Sequence, residues 1–298
     1  PYSPLVRCLL MFSGEFREKL IFLAPILFVI SILYVMIGIS IYVSMSDWRS
    51  YQISLNFVGL RNYEALFSNP RFYTALKNNI IWIILFMGPT SILGLVIAYI
   101  MVSTGKEMIF RTIFLLPTAI SMTVAGTLWV WMYAENGAIN TLLKALNLGF
   151  LARPWISDPS IALYALIFVT IWQYLGFAII IFEAAIKGID PSLIEAAQID
   201  GASSFQIFWD VIVPQVRHGF LVAVPLLALS ALKIFDIVYV ATRGGPGLAT
   251  DVLGYFMWET AFWQRFMADG AAIATIIFAI SLGIVIPYAL IALRRWFR

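Results

Sequence analysis

Residues 192–215 read SLIEAAQIDGASSFQIFWDVIVPQ. The stretch is too polar and too interrupted to cross a bilayer, yet too regularly punctuated for an idle loop. Just ahead of it, Asp190-Pro191 supplies an N-cap residue followed by proline at the first helical position, where a missing N–H costs nothing. Leu193, Ile194, Ala196 and Ala197 give the resulting helix an apolar, small-residue face, and Glu195 and Asp200 add carboxylates. Gly201 suits the left-handed turn that ends such a helix. Ser203 or Ser204 can cap a second helix, in which Ile207, Phe208, Val211 and Ile212 recur at helical spacing. Pro214 then stops or kinks it. The stretch predicts a helix, a turn and a second helix on a wet face of the molecule.

Two environments suit that amphipathic pattern. An interfacial helix lying on headgroups would use it, but such anchors carry Lys and Arg on their polar face. Residues 190–212 contain no Lys or Arg and four acids, Asp190, Glu195, Asp200 and Asp210. Anionic lipid would repel that charge. A small-residue face bearing a carboxylate suits a protein groove with a basic partner.

The rest of the chain is membrane-class. Of its 298 residues 62% are hydrophobic and 12% charged, with a mean hydropathy of +0.92; soluble domains are roughly 45–50% apolar and about 25% charged. Apolar runs of bilayer-spanning length fall at Leu20–Met45, Ile80–Val102, Ile113–Met132, Ile161–Phe182, Phe220–Val240 and Ala271–Leu293. As helices each would be about 30 Å or longer. Among 19 basic and 16 acidic residues, only Lys233 and Asp236 fall inside these runs. The runs lack the period-two alternation of a transmembrane barrel. The expected fold is an all-α membrane protein, one domain over residues 1–298 with six spans and a loop element between the fourth and fifth.

Six spans put both termini on one side. That side carries ten Lys and Arg in its loops and tails against eight on the other, including the cluster Arg294, Arg295 and Arg298. The positive-inside rule therefore favours cytoplasmic termini, which makes residues 190–212 cytoplasmic as well. The opening PYSPLVRCLLMF is broken by Arg7, too short to span and unlike a signal peptide; its missing initiator Met suggests a trimmed start. Prolines 25, 89, 117, 225 and 287 lie within spans, which membrane helices tolerate when neighbours satisfy the freed carbonyls. Gly94 and Ala98 form a small-xxx-small pair that permits close helix contact.

Several chemistries are excluded by composition. Net charge is +3, without the basic clusters a nucleic-acid binder needs; the mild excess fits loops meeting anionic lipid. A single cysteine, Cys8, cannot form an intrachain disulfide, and a single histidine, His218, cannot build a multi-His metal site or a familiar nucleophile–base pair. No G-x-x-x-x-G-K-[ST] phosphate loop occurs; the one Gly-Lys pair, Gly105-Lys106, is followed by Glu107. The chain is not expected to be an enzyme by itself or to hold a cofactor.

EAAQIDGASSFQIFWDVIVP resembles the EAA loop in the membrane subunits of ATP-binding-cassette importers. Glu195, Ala196, Ala197, Gly201 and Pro214 match its pattern, while Val211 and Val213 replace the usual Ile and Leu and keep the positions apolar. SDWRSYQISLNFVGLRNYEALFSNPRFYTAL, FRTIFLLPTAISMTVAGTLWVW and KIFDIVYVATRGGPGLATDVL extend the resemblance along nearly the whole chain, to carbohydrate-type permeases. The GGPG before Thr250 resembles the larger-subunit branch of maltose permeases, although this chain has room for only six spans.

The resemblance implies a permease of the prokaryotic inner membrane, paired with a second homologous permease. Two ATPase subunits holding ATP and magnesium would sit beneath it, and an extracytoplasmic solute-binding protein above. Glu195 would meet a basic residue in a groove of one ATPase subunit. The expected cargo is a sugar, oligosaccharide or related polyol.

Two groups are candidates for the translocation path. Lys233 and Asp236, three apart, would share a helix face and could neutralise each other or contact substrate; an unpaired charge at mid-membrane costs about 2.5–3.5 kcal/mol or more, so both should face protein or water. The alternative function, an ion-coupled secondary transporter, would run through this pair, but no repeat symmetry accompanies it. Trp172, Gln173 and Tyr174, with Trp129, Trp131 and Tyr133, offer aromatic faces and hydrogen-bonding groups suited to sugars, or interfacial anchors.

Overall fold

Why the apolar runs become helices, and where they fail to, positions everything else. The computed structural model describes residues 4–296, with side chains described over 23–291. The expectations for Pro1 and Arg298, and for the side chains of Arg7, Cys8, Arg294 and Arg295, lie outside the described residues. In chain order the helices are α1 (Pro4–Ser44), α2 (Arg61–Phe67), α3 (Pro70–Thr104), α4 (Glu107–Leu115), α5 (Met122–Met132), α6 (Ala138–Ala145) and α7 (Ala162–Lys187). They continue as α8 (Pro191–Ile199), α9 (Ser204–Gln206), α10 (Val213–Gln215), α11 (Arg217–Leu232), α12 (Asp236–Ala241), α13 (Leu253–Trp258) and α14 (Met267–Trp296). Two π-helical turns, Ile207–Ile212 and Glu259–Trp263, are interposed. Among the described residues β structure is limited to an isolated bridge between Ser46 and Phe57.

Among the described residues, five helical stretches are long and apolar enough to cross a bilayer: Leu23–Ser44, Pro70–Thr104, Ala162–Lys187, Arg217–Ala241 and Met267–Ile291. α3 and α7 form the central pair. α3 starts where Asn69 Oδ1 accepts the Arg71 N–H with Pro70 at the first helical position, and it ends at Gly105, left-handed at φ +67°. A methyl group on Gly94 would lie 2.7 Å from Ala178 Cβ, so the absence of a side chain is what lets α3 meet α7 there. Ala98, one turn on, is fully buried. Trp82 and Phe86 of α3, Leu166 of α7, Leu227 of α11 and Ile237 of α12 share one buried cluster. Leu95, Met101, Phe182 and Ile212 belong to a second, toward the other end of α3.

The third expected span, 113–132, is not one helix. α4 ends at Leu115, Pro117–Ala119 forms a 3-10 turn, and α5 begins after Ser121, whose Oγ accepts the Val124 N–H. Pro117 has no N–H to give and its ring crowds the carbonyl one turn back, which stops α4. The freed Ile120 carbonyl is taken by Gln173 Nε2 of α7 at 2.8 Å. Together the pieces still run the length of the bundle. Glu107 pairs with Lys187 at the C-terminal end of α7, and Tyr133, just after α5, donates to the Ala165 carbonyl near its N-terminal end.

The fifth expected span is also divided. α11 stops at Leu232 and α12 starts at Asp236. Asn79, fully buried on α3, donates to the carbonyls of Ala231 and Leu232 at 3.1 and 3.3 Å and accepts the Leu253 N–H at 2.8 Å. One carboxamide thus satisfies carbonyls that the helix break would strand in an apolar interior.

Candidate functional site

The segment after α7 is built as its sequence predicts. Asp190 Oδ1 accepts the Ser192 N–H at 3.0 Å, with Pro191 opening α8. That bond from the Ser192 backbone holds the Asp190 carboxyl below the usual carboxylate range. At the other end Ala202 N–H reaches the Ala197 carbonyl at 2.9 Å and Gly201 N–H the Gln198 carbonyl at 3.0 Å, with Gly201 at φ +81°. This is a Schellman stop, which needs a left-handed residue where glycine pays no Cβ penalty. Ser203 and Gln206 then cap each other: the Ser203 N–H donates to Gln206 Oε1 at 2.8 Å, and the Gln206 N–H donates to Ser203 Oγ at 3.4 Å.

The second helix of the pair is mostly π-helical, over Ile207–Ile212. Single π turns recur at functional sites and rotate the residues after them relative to an α-helix. Here Ile207, Phe208 and Ile212 are buried against α3 and α7, with Ile194 and Ala197 of α8 packed on them. Tyr99 of α3 ties the turn down, donating to the Ser204 carbonyl at 2.9 Å. Pro214 lies in α10, exposed. What faces outward is Glu195 and Ala196 with a set of large apolar side chains, Leu193, Ile199, Phe205 and Trp209. Ile199 is 86% exposed and Phe205 73%. Exposed apolar patches of this kind are characteristic of surfaces that meet a protein or a membrane.

An ion network braces this end of the bundle. Glu183, almost fully buried near the end of α7, takes Arg111 of α4 through both oxygens, one of them to Arg111 Nε at 2.9 Å. Lys187 bridges Glu183 and Glu107 at 3.0 Å each. Among the described residues α4 has none fully buried, so these ion pairs are a main tie to α7. Sequence reading missed the network because its partners lie 72 residues apart. Glu183→Ala is expected to cost about 1–2 kcal/mol, between an exposed pair and a fully buried one, because Arg111 is about half exposed. Glu107→Ala should cost under about 1 kcal/mol. Thermal denaturation of the solubilised complex separates the two; equal losses would remove the buried carboxylate from its bracing role.

The expected Lys233–Asp236 pair is not formed. The helix breaks between them, the i,i+3 register is lost, and no ion pair joins them among the described residues. Asn79 holds one side of the break; on the other, a side chain at Gly254 would come within 2.7 Å of the Ile234 carbonyl. Both charges are exposed on this chain. Lys233 borders a cavity of about 300 Å³ with Phe235, Met257 and Trp258.

Trp172, Gln173 and Tyr174 do not converge on one site. Trp172 stands edge-on to Trp129, centroids 5.5 Å apart, and lines an apolar cavity of about 570 Å³ with Trp131, Met132 and Phe168. Gln173 is buried; its Nε2 closes the break at Ile120, while its Oε1 has no hydrogen-bond partner among the described residues. Tyr174 packs edge-on to Phe86 at 5.3 Å.

Comparison with known proteins accords with this geometry. The family described as binding-protein-dependent transport system inner membrane component matches residues 81–298. A probable ABC transporter permease protein of Pyrococcus horikoshii is 42% identical over 279 residues, 93% of this chain and 96% of its own length. The glucose import system permease protein of Saccharolobus solfataricus is 30% identical over 285 residues, 95% and 99% respectively. Among solved structures, a bacterial alginate ABC transporter in complex with a periplasmic protein bound to alginate pentasaccharide superposes at TM-score 0.78. The match is 21% identical and covers 93% of this chain and 95% of that one, a likeness of fold.

Proposed function

The chain belongs to the family of binding-protein-dependent transport system inner membrane components, and on that premise we propose that it is one of two permeases lining the path of an ATP-driven sugar importer. Residues 190–214 dock on a cytoplasmic ATPase subunit and carry its motion into the membrane. The observation that carries this reading is the braced, capped segment that turns Glu195, Ala196, Leu193 and Ile199 outward with no basic residue among them. The ATPase groove supplies the cation. Both termini lie on the same cytoplasmic side, and a solute-binding protein delivers cargo at the opposite end. ATP and magnesium belong to the ATPase subunits.

The cargo is a sugar, oligosaccharide or polyol. This is supported by the name of the glucose-import relative, which aligns over nearly the full length of both chains. Lys233 and Asp236, exposed on a membrane stretch where unpaired charge is costly, face the second permease or the water-filled path between the two. Trp172, with Trp131 and Phe168, offers an aromatic wall deeper in the bundle, while Gln173 closes the break at Ile120 instead of facing cargo.

The test is co-purification from native membranes with an affinity tag on this chain, followed by reconstitution and radiolabelled sugar uptake. Recovery of an ATPase subunit and ATP-dependent uptake are expected. A chain that purifies without any ATPase and moves solute on an ion gradient alone would overturn the assignment.

A further inference from the structure

A cavity of about 390 Å³ opens at the end of the bundle away from residues 190–215, lined by Tyr239, Arg243, Tyr255, Trp258, Glu259 and Trp263. Its size is within the range of small-molecule sites, about 300–1,000 Å³. The path of the chain fixes its place: α11 leaves the coupling end, α12 continues to Ala241, and α13 packs beside the N-terminal part of α3. Aromatic residues near a membrane surface are commonly belt anchors that meet lipid one by one. These instead converge. Tyr239 and Trp258 meet edge-on with centroids 4.7 Å apart, Tyr255 and Trp258 lie nearly parallel at 6.1 Å, and Tyr255 is almost fully buried.

The polar groups are held as firmly as the rings. Asp251, with no exposed side-chain surface, takes Arg71 Nε at 2.6 Å, and the same guanidinium pairs through Nη1 with Glu259 Oε2. Arg71 also lies over the Phe256 ring, 4.5 Å from its centroid. Glu259 is thereby oriented, while its Oε1 has no hydrogen-bond partner among the described residues. Asn78 pins the preceding loop, donating to the Asp251 carbonyl at 2.8 Å and to that of Ala249 at 3.1 Å. Arg243 sits in the left-handed region at φ +50°, uncommon for a residue with a side chain, and its exposed guanidinium has no hydrogen-bond or ion-pair partner among the described residues. The π turn Glu259–Trp263 forms one wall and presents both of its end residues to the cavity.

An apolar ring wall with one oriented acceptor and one free planar donor matches a pyranose, whose C–H face packs on aromatic rings while its rim hydroxyls take hydrogen bonds. We propose that this cavity is a reception site for a single sugar ring at the extracytoplasmic mouth, which holds cargo released by the binding protein before it enters the bundle. This inference rests on the sugar-importer reading.

The test uses the whole transporter in proteoliposomes, with its second permease, ATPase subunits and binding protein. Glucose, xylose, maltose and maltotriose are first compared for stimulation of ATP hydrolysis by the wild-type complex, and the best stimulant becomes the probe. Trp263→Ala and Arg243→Gly remove ligand contacts at exposed positions, and the second also relieves the left-handed backbone. Each should lower the amount of probe imported per ATP hydrolysed by about tenfold, the worth of one good charged hydrogen bond or ring contact. Stimulated ATP hydrolysis should stay within about twofold of wild type, and Trp263→Tyr should restore most of the import ratio. If ATP hydrolysis and import fall together, the patch is a docking surface for the binding protein or a structural element, and the proposal is overturned. An unchanged import ratio overturns it equally. If none of the four sugars stimulates the wild-type complex, it is the importer's sugar assignment that fails, and the reception site falls with it.

Discussion

Glu195→Lys is expected to leave the protein at normal abundance in the membrane while ATPase subunits no longer co-purify with it and substrate no longer stimulates ATP hydrolysis. The carboxylate is exposed on α8, a helix whose ends are closed by Asp190 and Gly201 without its help. Reversing the charge therefore disturbs neither cap nor core. In a docked complex, a partly desolvated carboxylate–Arg contact is worth about 1.5–3 kcal/mol, roughly 10- to 150-fold in affinity. The substitution forfeits that and adds like-charge repulsion at close range. Ala196, next in sequence and exposed, leaves no bulk to hold the partner off. A compensating charge reversal on the ATPase's basic residue should recover part of the association. Wild-type association and uptake in Glu195→Lys would remove the acidic contact from the coupling role, leaving only the apolar patch of Leu193, Ile199, Phe205 and Trp209.

What could be read from the sequence was what depends on near neighbours. Asp190-Pro191, Gly201 and Ser203 announce helix ends because capping is settled within four residues, and each takes its expected place. Gly94 and Ala98 announced a close helix contact because small residues one turn apart have one common use in a membrane helix, and Gly94 meets α7 at Ala178. Hydropathy located five of the six expected spans for a similar reason, although one of them, Arg217–Ala241, proves to be divided. It failed over 113–132, where the end of α4 and the whole of α5 are both free of charge and Pro117 alone does not say whether a membrane helix bends or stops. It failed again at Lys233–Asp236, because an i,i+3 argument presumes the helix that Asn79 and the approach of Gly254 replace with a break.

A signal for that break was present. Asn78-Asn79 puts two adjacent carboxamides at the start of an apolar run, where a polar side chain needs a partner from elsewhere in the chain. Their partners, at 231–232 and 248–253, lie more than 150 residues away. The Arg71–Asp251–Glu259 cluster has the same character. In both cases the residue types were visible and the geometry was not.

Gly176→Ala is the second large effect expected, and its sign is decided by competing magnitudes. In an open helix interior the change would stabilise by about 0.5–1 kcal/mol through reduced backbone freedom. At 176 the new methyl would land on the Phe114 carbonyl oxygen, with Phe114 C and Thr118 Oγ1 each at 2.9 Å. The obstacle is backbone in the last turn of α4, where it runs into the break before α5. That break is held from the same face of α7, one turn earlier, by the Gln173–Ile120 bond. It cannot swing aside as a side-chain tip would, so the strain should reach about 3 kcal/mol or more, the upper end of overpacking costs. The net loss is then about 2–3 kcal/mol, against a small gain for Gly283→Ala, where nothing lies within 4 Å. Thermal denaturation of both variants in one detergent gives the comparison. Because Gly176 and Gln173 together seat the broken helix on α7, Gly176→Ala should also weaken the Arg111–Glu183 tie below it. Glu183→Ala added to Gly176→Ala should therefore cost less than it does alone. A Gly176→Ala variant as stable as wild type would mean that α7 does not press on the break, and that α4 and α5 are free to straighten into the single span their hydropathy suggests.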